Sequence, residues 1–349
     1  MTDQDAGTEA LLRELSAVSH DDYSNSFAKL RGRLTDSRGI RLPDFVRDLQ
    51  PAYRRVYFDI AVGYAALATV VALVSIGQWA GMWPVALGLL GAVLIGYWAL
   101  YLTSFIHEGA HWNLAPDRAI NDRLSNLLLS WIIALEIGFY RKVHFEHHRS
   151  LGTIHDTEIS YFSPLNARFL LRSLFGIRAI ETLLSYHRNA AGGHKPKARA
   201  SAGAGGTGTK PFLLFATAIT VHGSIVLALL WSGLWPAAIA WVLGFGAVLP
   251  FFGSIRQLLE HRTEDARPDQ DYTAVDQGAC ARIFGPGYFA STFGSAGFNR
   301  HLLHHWEPQV SYTRLADLER FLADTPMRVV MDRRRISYAE TFRRHFSLY

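Results

Sequence analysis

Histidine is the residue type through which this chain can do chemistry. The pattern H-x-x-H-H is written twice, as His144-Phe145-Glu146-His147-His148 and as His301-Leu302-Leu303-His304-His305. Positions i, i+3 and i+4 share one face of an α-helix, so each copy is expected to turn three imidazoles the same way. An i, i+4 pair, His107 and His111 in His107-Glu108-Gly109-Ala110-His111, comes earlier, and His261 stands alone with Gln257 four residues before it. Nine of the fifteen histidines thus fall into four clusters. Neutral imidazole is the commonest metal ligand in proteins. Nine are more than one ion can use, so the pattern predicts a two-metal site built from helix faces.

A wholly imidazole donor set suits Zn, Cu, Fe or Ni. Structural zinc takes four ligands and usually some cysteine, and Cys280 is the only cysteine in the chain. The surplus of histidine therefore points to higher coordination and redox work. Soluble di-iron proteins hold their metals with Glu and Glu-x-x-His ligands from a helix bundle; here histidine stands in place of carboxylate. Two irons so held could cleave O2 and take a hydrogen from an unactivated C–H bond. The first cluster alone also matches H-E-x-x-H, in which the glutamate of a zinc peptidase activates water. Such an enzyme has no use for two further triplets, and Glu108 lies about 100° round the helix from His107. A bis-histidine haem protein would need single histidines within the bilayer, not triplets beyond helix ends.

The elements that must position these residues are helices, several of them apolar. Of the 349 residues, 49% are hydrophobic and only 19% charged, against about 25% charged in soluble domains. Phe58–Gly77 and Met82–Phe105 each hold enough apolar residues to cross a ~30 Å hydrocarbon core, and residues 211–231 and 234–255 repeat the arrangement. The expected fold is all-α and integral to a membrane: four spans in two hairpins, carrying a helical cap that holds the metals. Lys and Arg are absent from both hairpins; 9 lie before Phe58, 13 in residues 106–210 and 13 from Arg256 onward. By the positive-inside rule all nine clustered histidines face the cytoplasm, as at a bacterial inner membrane. Residues 1–57 read as a polar lead-in broken at Pro43 and Pro51, 58–312 as the membrane domain, and 313–349 as a charged helical tail with Arg333, Arg334 and Arg335 exposed. Leu127–Tyr140 reads as an interfacial or re-entrant helix, residues 165–189 as an amphipathic helix on the inner leaflet, and 190–210, with His194, as a linker.

The three boxes H-x-x-x-H, H-x-x-H-H and H-x-x-H-H, interleaved with two hydrophobic hairpins, resemble the membrane-bound fatty acid desaturase superfamily over roughly residues 55–310. The resemblance implies that His107, His111, His144, His147, His148, His261, His301, His304 and His305 bind two Fe ions. It places a side-chain amide at Gln257, where the family holds a metal-bound water and where Asn is the expected residue. Glu260 and Arg262, which flank His261, are expected to fix its ring orientation. What is implied functionally is an O2-dependent desaturase of acyl-lipid chains. Hydroxylation or keto-group formation on a fatty or carotenoid-like substrate, and desaturation of a small carrier-bound metabolite, are the alternatives. A non-catalytic metal-binding membrane protein is the remote one. No His-Pro-Gly-Gly haem signature and no ferredoxin cysteines occur in the chain. Electrons are therefore expected from a separate carrier, a ferredoxin or cytochrome b5-like protein, and a nucleic-acid partner is not expected.

The charge distribution generates a topology test. Reporters fused after Gly81 or Gly233 should be active outside the cytoplasm, and fusions after Lys197 or at Tyr349 active inside. External activity at position 197 would remove the four-span arrangement and the single-compartment metal site with it.

Overall fold

The computed structural model describes residues 24–178, 180–181 and 211–346, so the linker expected at 190–210, residues 182–189, and His20, His187 and His194 lie outside the described residues. Helices account for the architecture, and the described residues contain isolated β-bridges but no strand. Four helices are long and apolar enough to cross a membrane: α1 (Tyr53–Trp79), α2 (Pro84–Ala110), α4 (Phe212–Trp231) and α5 (Trp235–His261). Between the hairpins lies α3 (Ile137–Ser150), and α6 (His301–Trp306) follows the second one.

The same local chemistry turns both hairpins. Gly81 adopts φ 75° and Gly233 φ 73°, the left-handed backbone that glycine takes at little cost. There the N–H of Met82 donates to the carbonyl of Gly77 at 3.0 Å and that of Leu234 to Leu229 at 2.8 Å, closing carbonyls that the ending helix leaves open. Pro84 and Pro236 then start the next helices at positions where a missing N–H goes unmissed. Gln78 joins the two tips by donating to the carbonyl of Gly233 at 2.9 Å.

α1, α2 and α5 are longer than the apolar runs that mark them in the sequence. Each has 27 residues, about 40 Å at 1.5 Å per residue, so roughly 10 Å projects beyond a ~30 Å core. The projecting turns of α2 and α5 carry His107 and His261. α2 packs along α1 and α5 through small residues. A Cβ on Gly96 would stand 2.5 Å from Val248, and one on Gly244 would stand 2.4 Å from Ile95. Close backbone approach of this kind is how helices associate in lipid, where burial of apolar surface supplies no drive. α5 widens into a π-helical turn at Gly244–Val248, a local insertion common beside functional sites.

Leu127–Tyr140 is not one re-entrant helix. A helix ends at Leu128, a 3-10 turn covers Ser130–Ile133, Ala134 takes φ 54°, and α3 starts at Ile137. The break has a clear cause: Glu136, the anomalous carboxylate of that apolar run, caps α3 by accepting from the N–H of Phe139 at 2.7 Å. The amphipathic reading of 165–189 is visible over Ala167–Leu174, which leaves Leu171 and Phe175 exposed. The lead-in helix Ser24–Leu30 packs on α6, with Phe27 stacked on Trp306 at 4.8 Å. In the C-terminal helices Arg334 is half-buried, not exposed, and donates to the Cys280 sulfur at 3.3 Å.

Gly96 tests the packing. Gly96→Val should lower the detergent-solubilised protein's melting temperature and cost about 1–3 kcal/mol or more. Gly246→Ala, which meets nothing within 4 Å, should leave it unchanged.

Candidate metal centre

All nine clustered histidines converge, in two sets. His107, His111, His144, His148 and His304 bring their ligand atoms within 4.8 Å of one another, and His147, His261, His301 and His305 do the same. The triplets do not act as units. From α3, His144 and His148 join the first set and His147 the second; from α6, His301 and His305 join the second and His304 the first. Helix geometry explains the division. Position i+4 lies about 40° to one side of i and i+3 about 60° to the other, so one triplet straddles the gap between the two sets.

The spacing within each set suits a cation. His107 and His304 bring their Nε2 atoms to 2.8 Å, His148 and His304 to 3.0 Å, and His144 stands 3.1 Å from His111 and 2.9 Å from His148. In the second set, Nε2 of His301 lies 3.0 Å from His261 and 3.2 Å from His305. Nitrogens about 2.1 Å from a shared metal stand roughly 3.0 Å apart at right angles. Neutral rings cannot all donate to one another across such a gap, whereas a metal ion accepts every lone pair at once. Burial, and then the neighbouring rings, pushes His111, His148, His301, His304 and His305 well below the usual histidine range, which keeps them in the neutral, ligating form.

Three rings have their tautomer set from behind, so that the nitrogen facing the set keeps its lone pair. His147 Nδ1 donates to Asp156 at 2.8 Å, His144 Nδ1 to Glu158 at 3.2 Å, and His261 Nδ1 to the Cys280 carbonyl at 3.2 Å. Asp156 is itself held at both oxygens. Oδ1 accepts from the N–H of Glu158 at 2.8 Å; Oδ2 accepts from the N–H of Gly152 at 3.1 Å and from the Tyr161 hydroxyl. Such outer contacts raise ligand basicity and fix ring direction. Arg141 ties the first two clusters together by donating to the α2 carbonyls of Ala110 at 2.8 Å and Gly109 at 3.1 Å. Trp112, directly after His111, sits at φ 59° with its ring against the Arg118 and Arg141 guanidinium groups, at 4.4 and 4.2 Å.

Other expected residues lie elsewhere. Glu108 is buried behind His107, its Oε1 3.9 Å from that ring's Nδ1, and accepts from the Ser311 hydroxyl at 2.9 Å rather than joining either set. Glu260 accepts from the Tyr338 hydroxyl at 3.1 Å, and Arg262 donates to the carbonyls of Tyr161 and Ser163, each at 2.9 Å. Neither reaches the His261 ring, which takes its orientation from the Cys280 carbonyl, nineteen residues on. Gln257 donates to Glu158. His155 is exposed, His222 bridges Trp241 and the Ile132 carbonyl, and His345 is buried apart from the metals and pushed down to about 3 by burial and by Arg282 and Arg262. Sequence reasoning missed Asp156 and Glu158. Their signal was the His155-Asp156-Thr157-Glu158 stretch just after α3, where attention goes to the histidine.

A cavity of about 500 Å³ opens beside the centre. Leu100, Ile132 and Leu249 make its wall aliphatic, and Tyr140, Glu158, Gln257 and Phe298 form the end nearest the imidazoles. Tyr140 stacks on His144 with ring centroids 5.4 Å apart, and Phe298 lies 4.6 Å from His107 and 5.0 Å from His301.

The outer contacts generate a test on metal retention. Asp156→Ala should lower metal affinity about 10- to 100-fold, measured as metal per chain after dialysis against graded chelator. His155→Ala, one residue away, should behave as wild type; equal behaviour of the two variants would show that the Asp156–His147 contact does not matter.

No curated protein matches the chain. The family model of fatty acid desaturase matches residues 81–335, more than half of it. That match runs from the first hairpin turn to beyond the last histidine cluster and takes in all nine, and the chain belongs to the fatty acid desaturase family.

Proposed function

We propose that the chain is an O2-dependent desaturase that introduces a C=C bond into an acyl chain with two iron ions bound by the nine histidines. The observation that carries this is their division into a five-membered and a four-membered set around two points. Five converging imidazoles exceed the tetrahedral demand of zinc and suit a redox ion of higher coordination. The reaction balances as one saturated –CH2–CH2– unit, O2, two electrons and two protons giving –CH=CH– and two waters. Iron, when bound, supplies the reductive activation of O2.

The chain's own residues do the rest. Asp156, Glu158 and the Cys280 carbonyl hold three rings in their ligating tautomer. Gln257, one turn before His261 on α5 and beside the set with four histidines, is the group we assign to hold a water there. The cavity lies at the depth where α2 and α5 leave their apolar segments, so a lipid chain enters it from the bilayer and the aliphatic wall excludes water. Electrons come from a separate acidic one-electron carrier on the basic face, which we place at the cytoplasmic side of a bacterial inner membrane. Glu108, bonded to Ser311 and Tyr312, has no part as a water-activating base.

Alanine at each of the fifteen histidines, with iron per chain and turnover measured, tests the reading. The nine should lose iron and nearly all turnover, and the other six should stay near wild type; no separation between the two groups would overturn the assignment. Mass analysis of the product decides the reaction: loss of two hydrogens is expected, and a gain of one oxygen would make the enzyme a hydroxylase. Glu108→Gln should retain appreciable activity, and complete loss with iron content intact would return the glutamate to the mechanism.

A further inference from the structure

The metal-facing end of the cavity is more polar than a plain hydrocarbon segment requires, and it includes donors that no group of the protein engages. Arg256 lines the cavity and has five N–H donors. Its Nη1 donates to the Ser104 hydroxyl at 2.5 Å, and its Nε faces Glu260 at 3.5 Å. Among the described residues Nη2 has no acceptor. The guanidinium lies over the Phe298 ring at 4.0 Å, and that ring packs against His107 of one histidine set and His301 of the other. A fixed positive charge therefore stands one ring's width from the centre.

Tyr140 brings a second donor to the same end. Its ring is held against His144, and its hydroxyl makes no hydrogen bond among the described residues. A tyrosine phenol keeps its proton at neutral pH and is therefore an O–H donor. The carboxylates nearby are already engaged: Glu158 with His144 and Gln257, Glu260 with Tyr338 and Arg256. Arg256 and Tyr140 thus form a pair of free donors beside the centre, at the end of an aliphatic pocket that the unpartnered Ser160 hydroxyl also lines.

We propose that Arg256 and Tyr140 bind an oxygen function of the substrate, a carbonyl, carboxylate or hydroxyl, so that the carbons presented to the metals lie close to that oxygen. The substrate is then a chain bound oxygen-end inward, not a long acyl lipid presenting a remote mid-chain segment. A methylene run in the same place would leave a desolvated guanidinium N–H and a phenol O–H without acceptors, which is the costly half of a broken hydrogen bond. This inference rests on the cavity being the substrate site of the function proposed above, and it narrows that function to a class of substrate.

The test is displacement of a fluorescent alkyl probe from the purified full chain by decanoate, methyl decanoate, 1-decanol and decane, with iron content measured on the same samples. The oxygenated chains should bind at least about tenfold tighter than decane, the range of one or two charge-assisted hydrogen bonds. Decanoate leading the other two identifies a carboxylate as the preferred group, and methyl decanoate leading identifies a neutral carbonyl. Arg256→Gln should erase most of the preference and Tyr140→Phe, which keeps the stack on His144, should reduce it severalfold, with decane unchanged in both. Equal affinity for decane and the oxygenated chains, or a preference that survives in both variants, overturns the inference. An iron-loaded chain that desaturates acyl substrates without the preference loses this inference and keeps its function. A chain that shows the preference yet takes up no iron loses the desaturase reading and keeps the oxygen site.

Discussion

Nine imidazoles must be buried, neutral and aimed at two points, and the rest of the structure serves that demand. Each ring has one nitrogen directed into a cluster of like nitrogens about 3 Å apart. Without a cation such clusters are poorly satisfied, because neutral imidazoles offer one donor and one acceptor each. Burial makes matters worse by denying them water. The fold assembles these candidate ligands from separate stretches of the chain, so a metal bound there would stabilise the folded state.

Convergence is achieved with helix ends. α2 and α5 continue past their apolar segments, so the clusters at His107 and His261 sit just beyond the expected bilayer, while α3 and α6 cross over them. Outer contacts then remove the remaining freedom of the rings. Asp156, with four partners, is the most constrained of these, and through His147 it governs the second set. Arg141 performs a similar task between α2 and α3, using carbonyls that the end of α2 leaves open.

Within the membrane segment the same economy of space applies. Small residues at Gly96 and Gly244 bring α2 and α5 into close contact, and the π-turn of α5 alters the register of the residues beyond it. Phe245 and Leu249, in and after that turn, line the cavity. Packing of the hairpins thus shapes the cavity that reaches the histidine sets, so a change in helix contact is a change in that cavity.

The four spans, their turns and the nine histidines were legible in the sequence because each depends on local chemistry: apolar length, Gly and Pro at helix ends, and i, i+3, i+4 spacing. Tertiary structure alone divided each triplet between the two histidine sets, since that depends on where α3 lies against α6, more than 150 residues away in the chain. It also moved Glu260 and Arg262 away from His261, to which sequence adjacency had assigned them, and put the Cys280 carbonyl there instead. A helix turns neighbours about 100° apart, so adjacency along the chain separates side chains that distant segments then partner. Asp156 and Glu158 became visible as ring-orienting groups, and Arg256 and Tyr140 as cavity-lining donors, only once the chain folded around α3. Spacing along the chain therefore decided which side chains could bind a metal, whereas the packing of helix ends decided which set each imidazole joins and what stands behind it.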